Sequence, residues 1–224
     1  MAVIEGGVSA ALQEVGVGAA VPAHITAKPV PYGSLGHYAF GGFSGILPAA
    51  LAANSEIFQF RWADATRLAV ILEVRISACV STTFFAAGVP VQIDLIKSTA
   101  WTVAGTLGTG ITPAATLKTR TSMGSTLLAA GDMRIATTAA LGAGTKTLEA
   151  NSMRAIVAPG PITASLNGQI IAPATALFVP DLSNGEHPLV LVQNEGFSIR
   201  SVAVPATGTW TITASMRWAE VTLF

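Results

Sequence analysis

Charge is scarce in this chain. Asp, Glu, Lys and Arg make up only 11% of its 224 residues, against about 25% in an ordinary soluble domain. Twelve basic residues balance twelve acidic ones, and they are scattered without a run of like sign. No phosphate-binding face follows from that pattern, so direct nucleic-acid binding is not expected. The chain has a single cysteine, Cys79, which excludes an intrachain disulfide and reads as a buried free thiol in a strand. No apolar run approaches the roughly 18 residues of a membrane helix, so no membrane partner is expected. No Lys or Arg precedes Lys28, while Glu5 and Glu14 do; that argues against a secretory leader.

The motifs of chemistry are scarce too. The three histidines, His24, His37 and His187, are not spaced as a metal pair. There is no His-Glu-x-x-His, no paired-cysteine motif and no Gly-x-Ser-x-Gly. The stretch from Gly142 to Thr147, "GAGTKT", lacks a glycine before Lys146 and a following helix pattern; it reads as a solvated turn, not a phosphate loop. Asp181, Glu186 and His187 sit in a polar loop that offers too few oxygens for calcium, which takes about six or more. Glu195 and Glu220 form a conceivable glycosidase pair, although any protein with this many carboxylates offers such pairs. Trp101, Trp210 and Trp218 lie in strand contexts, where packing is a better reading than a sugar platform. No catalytic, cofactor-binding or metal-binding residue is therefore assigned, no cofactor is expected, and the chain is not expected to be an enzyme.

What is present is wall. Hydrophobic residues make up 51% of the chain while Phe, Trp and Tyr make up 7%, and mean hydropathy is +0.58. Val, Leu, Ile, Ala, Thr and Gly supply most of the text. A chain of this length buries roughly 70% of its unfolded surface, so its core needs no metal or disulfide. With so little charge, a fully wetted monomer surface would be poorly soluble. Part of the surface is expected to be covered by other copies of the chain, with a trimer as the expected form.

Residues 1 to about 54 read as an extended arm that needs a partner surface, rich in Gly, Ala, Val and Pro, with room for a short helix from Ser9 to Val15. From Ser55 to the C-terminus the pattern is strands. "EIFQFRW" places Phe58, Phe60 and Trp62 on one face, with Ile57, Gln59 and Arg61 opposite. "RLAVILEVRISACV" alternates over its length, with Leu68, Val70, Leu72, Val74, Ile76, Ala78 and Val80 on the predicted core face. Val89, Val91, Ile93 and Leu95 alternate against Gln92 and Asp94. Met133 to Thr137 reads as a further strand, and Asn167-Gly168 as a tight turn. Asn194-Glu195-Gly196 reads as a hairpin connection. Beyond it, Trp210, Ile212, Ala214, Met216 and Trp218 share one face of the last strand. Strands, turns and no long helix predict an all-β protein: a β-sandwich, with a jelly roll preferred, spanning 55–224 behind the arm.

Several stretches carry a resemblance. "LAANSEIFQFRWADATRLAVILEVRIS", "RTSMGSTLLAAGDMRIATTAALGAGTKTLEA", "GEHPLVLVQNEGFSIR" and "TGTWTITASMRWAEV" resemble a recurrent family of structural proteins from tailed bacteriophages, over about Gly33 to the C-terminus. The resemblance implies a virion component, made in the host cytoplasm and placed on the capsid surface. It implies a decoration or cement protein whose partners are its own copies and the major capsid protein or other virion proteins. A tail, neck or head-fibre component, and a carbohydrate-binding attachment module, stand as alternatives.

Overall fold

The computed structural model describes residues 3–4, 13–14, 36–83, 85, 90–113, 117–158, 170–181, 184–203 and 206–224. Two compact units emerge, Met1–Pro31 and Tyr32–Phe224. In the first, β1 (Val3–Ile4) pairs antiparallel with β2 (Gln13–Glu14). Gln13 and Glu14 are thus strand rather than part of the helix expected from Ser9 to Val15, whose other residues lie outside the described ones. His24 lies outside them as well.

The second unit is all-β, with two antiparallel sheets packed face to face as a sandwich. The first sheet holds β3 (His37–Phe43), β4 (Leu47–Pro48), β6 (Leu68–Val80), β12 (Ile170–Phe178), β13 (Leu189–Leu191) and β15 (Thr209–Val221). Its order is β12-β6-β15-β3, with β13 also on β6 and β4 also on β15. The second sheet holds β5 (Ser55–Trp62), β7 (Val91–Val103), β8 (Thr109–Gly110), β9 (Met133–Ile135), β10 (Thr145–Leu148), β11 (Arg154–Ala158) and β14 (Glu195–Ala203). Its order is β10-β7-β14-β5-β9-β8, with β11 also on β7.

Few aromatics are present, and most of the described ones are in the core. Across the sheets, Phe60 meets Trp218 edge-on with centroids 5.6 Å apart, and Phe40 stacks near Phe58 at 5.9 Å. Within the sheets, Tyr38 stacks on Trp218 and Phe60 on Phe197. Such ring pairs add free energy beyond the area they bury, about 0.5–1.5 kcal/mol each.

Four expectations need correction. The domain does not begin at residue 55: β3 pairs with β15 along seven residues, from Thr213↔Phe43 to Ala219↔His37, and its Tyr38 is fully buried. Gly-rich text misled here, because "HYAFGGF" alternates weakly. Second, the core face of β6 is not continuous. Arg217 pairs with Glu73 but Trp218 with Ile71, so Leu72 is an extra residue. A bulge of one residue exchanges the two faces of a strand. Val74, Ile76, Ala78 and Val80 enter the main core, together with Ala69 and Ile71. Leu68, Val70 and Leu72 pack on the other side with Ala219, Val221 and Val190. Third, a similar slip between Ile199↔Phe58 and Arg200↔Glu56 leaves Ile57 as the extra residue of β5, and Ile57 is buried in the main core. Fourth, Asn194-Glu195-Gly196 does not close a hairpin. It carries the chain from β13 in the first sheet to β14 in the second, with Asn194 in the left-handed region at φ 62°.

Asn167-Gly168 and Val89 lie outside the described residues. Among the described residues, no helix is long and apolar enough to cross a membrane.

Candidate functional site

The side of the second sheet away from the sandwich core carries a layer of buried polar groups. β5, β14 and β7 run side by side there. Register places Gln59 opposite Ser198 and Glu56 opposite Arg200; Arg200 in turn faces Asp94. Glu56, Gln59, Asp94 and Ser198 are all buried. Buried charges persist only when paired and hydrogen-bonded, and the two carboxylates are: Glu56 with Lys146 and Asp94 with Arg200. Arg200 grips Asp94 with two bonds, Nε to Oδ1 at 3.0 Å and Nη2 to Oδ2 at 2.5 Å. Ser152 also donates to that carboxylate. The Asp94 contacts hold the Arg200 guanidinium above its ordinary pKa. Nearby, Arg61 pairs with Asp132 at 3.2 Å.

Lys146 completes the layer. It belongs to β10, whose register on β7 slips between Thr145↔Val103 and Thr147↔Thr99. Within the slip Ala100 adopts φ 49°, and Trp101 comes to lie against Gly196. A Cβ on Gly196 would stand 2.8 Å from the Trp101 ring and 2.2 Å from Phe60 O, so only glycine admits the ring. The Lys146 ammonium sits 3.8 Å from the Trp101 centroid and donates to Ser198 Oγ at 3.0 Å and to Glu56. Burial pulls its pKa below the usual lysine value, with Glu56 opposing the shift. The solvated turn expected at Gly142 to Thr147 holds in part: Ala143, Gly144, Thr145 and Thr147 are exposed, but the strand begins at Thr145 and the Lys146 side chain is buried.

Another buried carboxylate, Glu220, is sealed near the end of β15. It accepts from Thr126 Oγ1, from Leu127 N at 3.2 Å and from Trp218 Nε1 at 3.4 Å, with Arg67 Nη1 at 3.6 Å. Burial raises its pKa. Glu195 lies on the other sheet and closes its own turn, accepting from Val192 N at 3.1 Å. The two carboxylates therefore serve different structural bonds. Trp101, Trp210 and Trp218 are all fully buried, which removes them as a surface for sugar rings.

The remaining candidates are local. Asp181 and Glu186 tie their loop: Glu186 Oε2 accepts from Asp181 N at 2.7 Å, and Asp181 Oδ2 accepts from Asn184 Nδ2 at 2.6 Å. His187 is exposed, its ring edge-on to Phe224 at 4.7 Å. His37 is half-buried, and burial, then Arg217, lowers its pKa. Among the described residues, no group of three His, Cys, Asp or Glu is placed to hold a metal ion.

The outer side of the first sheet is plain by contrast. Ser77 meets Thr213 at 2.6 Å and Cys79 meets Thr211 at 3.4 Å. Cys79 is half-buried in this small-residue ladder, not fully buried as its strand context suggested. Beside the ladder, a depression of about 520 Å³ is lined by Ala39, Gly41, Ser215 and the Glu73–Arg217 pair, among others. Sequence reasoning missed the Glu56–Lys146 cluster. The one signal available was Glu56 and Gln59 set among Ile57, Phe58 and Phe60 in one strand.

Comparison with models of known protein families, with curated proteins and with solved structures finds no match for this chain.

Proposed function

We propose that this chain is a non-enzymatic structural protein of a tailed-bacteriophage virion, a decoration or cement protein that docks on the capsid as a symmetric homotrimer. One observation carries the reading. The charged groups of the second sheet, Glu56 with Lys146 and Asp94 with Arg200, are turned inward and bound to one another, while bulky apolar side chains stand outside: Phe43 is 79% exposed, Ile170 66%, Val157 64% and Leu107 61%. Exposed apolar area favours association, because covering it removes it from water. A protein that works through its walls has this distribution, and symmetric self-association is the common way to use it. The low charge and the phage-like stretches noted above point the same way.

The strand order supports a jelly roll as the form of the sandwich. Eight principal strands, β3, β5, β6, β7, β11, β12, β14 and β15, split into β12-β6-β15-β3 and β11-β7-β14-β5. That interleaving is what two Greek keys wrapped into a double sheet produce. Fold alone assigns no function.

Cryo-electron microscopy of the source particle tests the reading. The expected result is density for the sandwich on the outer shell, in copies related by three-fold axes. Density in the tail or neck, or absence from the particle, overturns it.

A further inference from the structure

We propose that Lys146 and Gln59 become joined by a side-chain amide bond, formed by the chain itself within the buried polar layer of the second sheet. Both groups are held by one atom. Glu56 Oε2 accepts from the Lys146 ammonium and from Gln59 Nε2, the latter at 2.6 Å. An amine, a carboxamide and a carboxylate that can carry protons are thus gathered at a single oxygen. Reacting groups preset in this way gain effective concentrations that no bimolecular encounter matches.

Burial decides what such a cluster can act on. The Lys146 side chain is 2% exposed and that of Glu56 7%; Gln59 is 1% exposed. An outside substrate has no access, so the chemistry available is internal. Gln59 Oε1 is buried and has no hydrogen-bond partner. A buried carbonyl oxygen without a donor costs free energy, and it calls for a reason beyond packing. Burial also lowers the Lys146 pKa, which raises the share of neutral, nucleophilic amine.

The step balances without an external reagent. Glu56 takes a proton from Nζ, and the neutral nitrogen attacks Cδ of Gln59. The Cδ–Nε2 bond breaks as the Nζ–Cδ amide forms. Two protons leave Nζ in all, and Glu56 passes both to the departing nitrogen, which leaves as ammonium. Glu56 ends as the carboxylate it began as. Ser198 Oγ still donates to that carboxylate at 2.7 Å, and Arg200, paired with Asp94, stands opposite it across the strands. In the order β10-β7-β14-β5 the product ties the two outer strands of this set across the two between. The bond would staple the sheet, whatever the protein docks on.

The test is the intact mass of the full-length protein under denaturing conditions, with a tryptic map. The expected protein is lighter than its sequence by one ammonia. The bond after Lys146 should resist trypsin, leaving 135–154 linked to the peptide that ends at Arg61. Lys146→Arg keeps the positive charge and should return the mass to its full value, as should Glu56→Gln. The wild-type map decides even if both variants fail to fold. A wild-type protein of full sequence mass, free cleavage after Lys146, or an ammonia loss mapped to any other residue overturns the proposal.

Discussion

Trp218 pairs with Ile71 across the β15–β6 ladder, although Arg217, the residue before it, pairs with Glu73. The skipped Leu72 separates two halves of β6 that bury opposite faces. Ile71 is fully buried, while Leu72 is half-buried. Ile71→Ala should therefore cost about 2–5 kcal/mol, as large-to-small changes in cores do. Leu72→Ala should cost roughly 1 kcal/mol, in proportion to the smaller area it loses. Urea unfolding of the two variants checks this, and a larger loss at Leu72 would restore the uninterrupted alternation.

That bulge marks where the sequence stops being readable. Alternation identified β6, β7 and β15 as strands; it put Phe58, Phe60 and Trp62 together on one face of β5, and Trp210 and Trp218 together on one face of β15, and in the structure both faces are buried in the core. Those are long strands with one strongly apolar side, where the physics writes a period of two. A slip of one residue leaves no mark in composition, so Leu68, Val70 and Leu72 pack on the side opposite to the one an unbroken alternation predicts. β10 escaped because "TKTL" is short and polar. The Glu56 cluster escaped for a different reason: its members come from β5, β10 and β14, far apart in sequence, and a polar residue on a strand reads as solvent-facing until a loop covers it.

Arg200 and Asp94 should behave as a buried pair. Arg200→Met leaves the Asp94 carboxylate, 3% exposed, with Ser152 as its remaining side-chain partner. Breaking one side of a buried pair costs about 3–5 kcal/mol. Changing both, as Arg200→Met with Asp94→Leu, should recover much of that loss, because no charge is then stranded. Denaturant midpoints for the single and double variants give the comparison. An additive double variant would show that the pair is not coupled.

Glu220 predicts a pH dependence. Its pKa is raised from 4.5, first by burial, with the bonds from Thr126, Leu127 and Trp218 and the charge of Arg67 pulling it back. Tyr38, which Glu220 helps push up to about 12, does not titrate in this range. The folded protein holds the Glu220 proton more tightly than the unfolded chain does. Its contribution is full below the unfolded value and is lost as pH rises through the raised folded value. Stability should fall over that window, and less steeply in Glu220→Gln. Asp132 is raised by burial in the same sense, so some slope should remain. Unfolding midpoints from pH 4.5 upward measure it; identical slopes in the two proteins would contradict the assignment.

Association should depend on exposed apolar side chains. Phe43 stands at the end of β3, 79% exposed. Phe43→Asp removes apolar area and adds a charge at a site with little to lose in the fold. The expected outcome is a lower oligomer population by mass photometry, with an unchanged circular dichroism spectrum. A wild type that is monomeric at micromolar concentration would remove the basis of the prediction.

Two truncations separate arm from domain. The sheet unit begins at Tyr32, and β3 follows at His37. Removing 1–31 should leave the sandwich folded, with its unfolding midpoint little changed, because the strands and core of that unit remain. If the removed segment binds a neighbouring copy or the shell, assembly should weaken while the fold persists. Removing 1–54 is a different operation. It strips β3 and β4 from β15, and with them Tyr38, Phe40 and Leu47, all buried. Trp218 then loses its stacked partner at 5.4 Å, and Phe58 loses the ring at 5.9 Å. Losing a single large core side chain costs about 3–5 kcal/mol, and a whole domain is stable by only about 5–15 kcal/mol. The longer truncation should therefore be largely unfolded, without a cooperative thermal transition. Equal stability of the two products would mean that β3 is not an integral part of the sandwich.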